Sequence, residues 1–307
     1  MLKKLISTAL FTIVASLPIP VFAYSVSVTS SKEAGVGDIF VVSVLASEKD
    51  NSINAIEGAI KITNADYVNV ENVSTGGSIF DLWAEYPHFD EGQSAIVFAG
   101  GSTKPLKPDN SVLFKIAVQA KSEGIVTFAP TGMAFFLANG KGTKIPDVLS
   151  TPDNVRITAQ SSVGIPDEWQ KIVAADKEPP APISVSLGRN PALFGGQYFI
   201  SFFTTDSRSG VAKYQVKEGN GDWNAATSPY ALNDQSLGET VYVKAIDYAG
   251  NERITQFTAN AAARPSGTFT TWLILGVILV AVCLFFMIAR RIKKSRRNIA
   301  RPGGPSV

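Results

Sequence analysis

One histidine, His88, and one cysteine, Cys283, are the whole supply of imidazole and thiol in these 307 residues. A zinc site or catalytic array needing two histidines, a disulfide within the chain and a cysteine-rich cluster are therefore excluded. His88 lies in FDLWAEYPHFD (residues 80–90), with Asp81, Glu85 and Asp90 close by. Two such carboxylates could serve as acid and base on a glycosidic bond, but acids in a sandwich loop are ordinarily just solvated. No GxSxG, HExxH, P-loop or Rossmann fingerprint occurs anywhere in the chain. We expect no enzyme. Oxygen ligands are plentiful, but the spaced Asp-x-Asp-x-Asp-Gly loop is missing; we expect no cofactor, a structural calcium being the one alternative.

The same stretch is richer in aromatic rings. Trp83, Tyr86 and Phe89 come three apart, with Pro87 interrupting a simple strand. Exposed rings stack on sugars or anchor a protein partner, because each buries a large area at small entropic cost. The alternative is that they fold inward and cap the end of a sandwich. A second candidate is GGSTKPLKP (residues 100–108), read as a loop whose Lys104 and Lys107 are exposed, or as a plain connection.

The elements that must hold these residues are strands. Between residues 24 and 260 nearly every apolar run is short, rich in Val, Ile, Phe and Tyr, and bounded by Gly, Asn, Asp or Pro. Runs at 25–29, 39–46, 53–62, 67–73, 95–99, 112–120, 125–128, 133–137 and 155–158 predict nine strands, which need two packed sheets to bury their inner faces. In 53–62, Ile56, Gly58, Ile60 and Ile62 share a face opposite Glu57 and Lys61. In 112–120, Val112, Phe114, Ile116 and Val118 oppose Leu113, Lys115, Ala117 and Gln119. Residues 159–182 break the pattern with Pro166, Pro179, Pro180 and Pro182 and read as a linker with a helix-compatible stretch at 167–175. Six further runs, at 183–187, 197–204, 211–217, 228–232, 239–246 and 253–258, predict a second sandwich over 183–260.

The two ends point to a membrane. Residues 1–23 have Lys3 and Lys4, a short apolar core at 5–17, then Pro18, Pro20 and small or medium residues before a cleavage point, as in a secretory signal. After a stalk at 261–271, residues 272–289 run 18 positions without a charge, about the length that spans a bilayer as a helix. Trp272 suits the outer interface, and Arg290, Arg291, Lys293 and Lys294 open a basic tail (290–307) that stays cytoplasmic. Its charges suit anionic headgroups, so lipid is an expected partner there. The resulting expectation is a single-pass type I protein of the cell membrane with its sandwiches outside. Residues 24–271 hold 19 bases against 26 acids, a net −7, which argues against nucleic acid as a ligand.

Several motifs in order resemble the cohesin family. They are GVGD (35–38) before the strand at 39–45, the strand at 53–62, NVSTGGSIF (72–80), the strand at 95–101, then 112–121 with SEGIVTF (122–128), and LANG (137–140). The resemblance covers residues 24–158. It implies a nine-stranded jelly-roll sandwich, related in fold to carbohydrate-binding modules, and a dockerin-like protein as partner. No dockerin repeat or cellulase domain accompanies it. Residues 183–258 resemble bacterial immunoglobulin-like repeats, through Asp206 with Ser209-Gly210-Val211, Tyr214, Trp223, Ser228-Pro229-Tyr230 and above all VYVKAIDYAGN (241–251). That resemblance implies a spacer, with Asp247, Gly250 and Asn251 forming a hairpin turn.

The leading expectation is thus a displayed module that recognises an extracellular protein through Trp83, Tyr86, Phe89, Lys104 or Lys107. The alternatives are polysaccharide binding by the same module and a structural role in the envelope.

Overall fold

The computed structural model describes residues 24–49, 51–159 and 166–258. The expected signal, the stalk, the 272–289 span, the basic tail and residues 160–165 of the expected linker lie outside the described residues. Among the described residues no helix is long and apolar enough to cross a membrane.

The first half is a two-sheet β-sandwich of twelve strand segments. They are β1 (Tyr24–Thr29), β2 (Glu33–Gly35), β3 (Ile39–Glu48), β4 (Ile53–Thr63), β5 (Val68–Ser74), β6 (Leu82–Asp90), β7 (Ala95–Leu106), β8 (Ser111–Ala120), β9 (Gly124–Leu137), β10 (Lys144–Ile145), β11 (Leu149–Thr151) and β12 (Asp153–Thr158). One sheet runs β11-β1-β3-β8-β5. The other runs β2-β12-β9-β4-β7-β6, with β10 added to β9. β1 with β11 and β12 with β2 pair in parallel, and the other pairs are antiparallel.

Period-two patterning accounts for the core. Ile56, Ile60 and Ile62 of β4 and Ile96 and Phe98 of β7 face Phe40, Val42 and Val44 of β3 and Phe114, Ile116 and Val118 of β8, all essentially excluded from solvent. Each such side chain contributes about 1.5–3 kcal/mol by burial.

The strands differ from the nine expected: the short strands β2, β10 and β11 are additional. The runs at 125–128 and 133–137 are one strand, β9, because Pro130 sits opposite Ile60 and the register slips beside Gly58 instead of ending. β6 was not foreseen at all. Strict alternation also fails in β8: Val44 pairs with Phe114 and Leu45 with Val112, so Leu113 is an extra residue, and this bulge buries it fully instead of leaving it on the outer face.

The second sandwich has seven strands. They are β13 (Ser184–Arg189), β14 (Tyr198–Phe203), β15 (Val211–Glu218), β16 (Asn224–Ala226), β17 (Tyr230–Ala231), β18 (Thr240–Asp247) and β19 (Glu252–Thr258). They form a sheet β13-β14-β17 and a sheet β16-β15-β18-β19 over a separate core of Ile200, Phe202, Val216, Val241, Val243 and Ala245.

Between the two lies one helix, α1 (Glu168–Ala175), started by Asp167, whose side chain accepts a hydrogen bond from the Gln170 amide at 2.7 Å. It does not hang free. β1 stops pairing with β3 at Ser43, and the exposed edge of β3 beyond that point is taken over: Ile39 N donates to Pro166 O and Val41 N to Glu168 Oε2, both within 2.9 Å. Those contacts close an edge that would otherwise invite pairing with another chain.

Asp153, at the start of β12, is 4% exposed, accepts from Ser30 Oγ at 2.7 Å and is paired with Lys32. Burial pushes its carboxyl up, but the hydrogen bonds from Lys32 and Ser30 outweigh that and hold it below the usual carboxylate value. A carboxyl lowered in the folded state supports the fold above its unfolded value and stops doing so as pH falls through the folded one. The thermal midpoint is therefore expected to fall steeply below about pH 4, and the fall to be shallower in Asp153→Asn, which scanning calorimetry across that range checks.

Candidate functional site

The five residues singled out from the sequence do not form one surface. β6 is the edge strand of the larger sheet, which is why it tolerates Pro87. Its register with β7 slips twice, after Trp83 and after Glu85, and these slips decide which rings face where. Trp83 pairs with Gly100 and turns inward, its ring edge-on to buried Phe80 at 5.4 Å. A Cβ on Gly100 would lie 2.5 Å from both rings, so glycine is what lets Trp83 seat there. Phe89, opposite Ile96, also packs against the core. Only Tyr86 of the three is well exposed, at 46%. Its ring lies 5.6 Å from Trp83 and its hydroxyl shares a 2.7 Å hydrogen bond with Thr75. Desolvation of that inward-turned hydroxyl pushes the phenol up to about 12.

Residues 100–106 belong to β7 and are not the loop expected for 100–108. Lys104 and Lys107 are exposed, but they lie beyond Leu82–Gly101, where β6 ends its pairing, and so extend away from the aromatic cluster. Asp81 ties this end down, accepting from Thr103 N at 3.1 Å. Asp90 is engaged with Gln93, whose side-chain and backbone hydrogen bonds hold its carboxyl below the usual range. His88 lies beside its own strand, Nδ1 2.9 Å from Tyr86 O. These groups are spread along a strand and do not converge on a reacting atom.

What does form a surface is the outer face of the larger sheet. Residues directly opposite one another share a face. Leu82, Gly101 and Ala55 make one row across β6, β7 and β4; Glu85, Ala99 and Glu57 a second; His88, Val97 and Ala59 a third. The centre is small and apolar, with Gly101, Ala55, Ala99, Val97 and Ala59, and Leu82 stands 48% exposed at its edge. Charge borders it at Glu57, bonded to Lys144 at 2.7 Å, and at Lys61 and Glu85, while Phe136 and Thr131 of β9 lie opposite Ala55 and Ala59. Without bulky side chains in the centre, a partner's backbone or helix can approach closely. The signal in the sequence was the run of Ala and Gly at alternate positions of two predicted strands, which reads as weak packing until the strands are paired.

The second sandwich meets the first at the β5 end of the smaller sheet. Gly77 N donates to Asp206 O at 2.8 Å, Ser74 Oγ to Ser209 O at 2.5 Å, and Lys115 Nζ to Gly76 O at 2.7 Å and Arg208 O at 3.3 Å. Burial pulls the Lys115 ammonium below its ordinary value, with Asp206 and Asp176 opposing the shift. Trp169 of α1 meets Tyr248 edge-on at 5.4 Å.

No family model and no curated protein matches the chain. Among solved structures, it is similar to the cohesin module of a family 33 glycoside hydrolase from Clostridium perfringens, at 15% identity and a TM-score of 0.39, covering 46% of this chain and 100% of that one. It is also similar to the third cohesin of ScaC from Acetivibrio cellulolyticus, solved with the ScaB dockerin, at 11% identity and 0.36, covering 44% and 99%. A third is the sixth cohesin of scaffoldin B from Acetivibrio cellulolyticus, solved with a Cel5 dockerin, at 12% and 0.34, covering 45% and 99%.

Proposed function

We propose that this chain is a surface-displayed recognition protein whose first sandwich binds another extracellular protein through the outer face of its larger sheet. The observation that carries the reading is the small apolar centre of Ala55, Ala59, Val97, Ala99 and Gly101, bordered by Glu57, Lys61 and Glu85. Specific interfaces have such an apolar core and polar rim. The hydrogen bonds to the second sandwich come from Ser74, Gly77 and Lys115, on the side of the smaller sheet, and none comes from this face. The motif order in residues 24–158 that resembles cohesins is consistent with a dockerin-like partner. Residues 1–23 export the chain and 272–289 tether it, so the second, immunoglobulin-like sandwich holds the binding face off the membrane.

The test is capture of a protein from the organism's own extracellular extract by the full-length chain and by its Ala99→Arg variant. A bulky Arg at the centre of the patch, between Glu57 and Glu85, fills the space a partner's backbone needs for close approach, so affinity is expected to fall about 100-fold or more, while circular dichroism stays the same. Binding that survives both Ala99→Arg and Val97→Arg overturns this face as the site. Binding competed by free glycan and lost in Tyr86→Ala would point to polysaccharide instead, since Tyr86 is the one well-exposed ring of the three.

A further inference from the structure

Where the second sandwich meets α1, three carboxylates converge from separate parts of the chain. Asp176 caps the end of α1, Asp206 lies in the turn between β14 and β15, and Asp247 ends β18. They are 1%, 5% and 2% exposed, and one carboxylate oxygen from each lies within 4.8 Å of the other two.

Counting hydrogen bonds oxygen by oxygen shows what is missing. Asp176 Oδ1 accepts from Glu178 N at 3.2 Å, and its Oδ2 from Ser209 N at 3.0 Å and Ser209 Oγ at 2.5 Å. Asp247 Oδ1 accepts from Asn251 N at 2.8 Å and Oδ2 from Asn251 Nδ2 at 2.9 Å. Asp206 Oδ1 accepts from Arg208 N at 2.9 Å and Gly210 N at 2.8 Å. Asp206 Oδ2 is buried and has no partner. Every donor in that account is neutral. Lys115, the ammonium at this junction, spends its hydrogen bonds on the carbonyls of Gly76 and Arg208. Of the three ion pairs among the described residues, none includes any of these aspartates.

Three buried carboxylates this close repel one another, and a buried anion with an unpaired oxygen carries its full desolvation penalty. A cation removes both costs together. An all-oxygen donor set drawn from a helix end, a turn and a strand end suits a hard ion with loose geometry, which selects calcium over zinc or copper. We propose that Asp176, Asp206 and Asp247 form a calcium site that pins the end of α1 to two turns of the second sandwich. Asp206 also gives its carbonyl to Gly77 N of the first sandwich. Ordering its turn therefore stiffens the junction between the two sandwiches.

The test uses the full-length chain stripped with chelator. Terbium should give saturable emission sensitised by Tyr248, which follows Asp247 directly, and by Trp169, edge-on to it, and calcium should displace that emission. The thermal midpoint should rise by roughly 2–8 °C between chelator and about 1 mM calcium, the range of extracellular calcium modules. Asp206→Asn separates a metal site from a purely structural aspartate. Asn keeps one oxygen for the Arg208 and Gly210 amides and puts a donor where the unpartnered oxygen stood. In chelator it should therefore melt no lower than the parent, and calcium should no longer raise its midpoint. The proposal is overturned if calcium fails to displace terbium or to shift the parent's midpoint, if Asp206→Asn keeps the emission, or if that variant loses equal stability with and without calcium.

Discussion

Phe114→Ala is expected to destabilise the first sandwich by about 4 kcal/mol, the range for truncating a buried phenylalanine. Phe114 belongs to the smaller sheet and Phe98 to the larger, and their rings meet edge-to-face with centroids 4.8 Å apart. The pair is therefore a direct contact between the two layers, worth about 0.5–1.5 kcal/mol beyond its buried area. Both residues are shielded on all sides by Ile, Val and Phe, so the cavity left by alanine has little means of collapsing. Single domains have only about 5–15 kcal/mol in total, so the variant should show a much lower urea midpoint with an unchanged slope. Ile125→Ala is the matched control, because Ile125 is 47% exposed on the outer face, and it should move the midpoint by about 0.5 kcal/mol or less. Equal effects of the two would mean that the sheets are not packed as described.

How far the sequence could be read follows from what each residue answers to. Ile56, Ile60 and Ile62 obey one rule, alternation with one face buried, and their positions were legible. Leu113 obeys two: its place in the alternation sends it outward, while the extra residue in the β3–β8 register turns it into the core. A bulge is a property of two paired strands, and one strand's pattern does not contain it. β6 escaped notice for a related reason. Its aromatic residues at 83, 86 and 89 match no period of two, because two slips against β7 reset which side faces inward. Pro87 argued against a strand, and only the edge position removes that objection. The outer-face patch was half legible, since Ala55, Ala59, Val97 and Ala99 alternate correctly in their own strands, but only pairing brings β4 and β7 side by side. The aspartates at 176, 206 and 247 lie tens of residues apart, so no local spacing joins them. Asp247 was visible as a turn former, Asp206 only as one residue of the motif that resembles immunoglobulin-like repeats, and Asp176 sat in a stretch that read as linker.

Gly76→Ala is expected to uncouple the two sandwiches while leaving both folded. Gly76 lies in the turn after β5, where an added Cβ would land on the carbonyl oxygen of Arg208 and 2.7 Å from Gly210 N, with backbone on both sides. Backbone cannot rotate out of the way as the end of a side chain can, so the second sandwich must move. Moving it takes away the Gly77–Asp206, Ser74–Ser209 and Lys115–Arg208 hydrogen bonds together. At about 1 kcal/mol for each net hydrogen bond, the coupling lost is about 3 kcal/mol. None of these residues belongs to either hydrophobic core, so the loss falls on the contact and not on the folds. Calorimetry should resolve one transition of the parent into two in the variant, and hydrogen exchange should rise at residues 74–77 and 206–210 while Phe114 and Val243 stay protected. Gly210→Ala approaches the same contact from the other side, where its Cβ would strike Ser74 Oγ and its φ of 89° adds strain of its own. In the double variant the separation has already occurred, so the two costs should fall short of additive. Full additivity would mean that the two glycines do not meet across one contact.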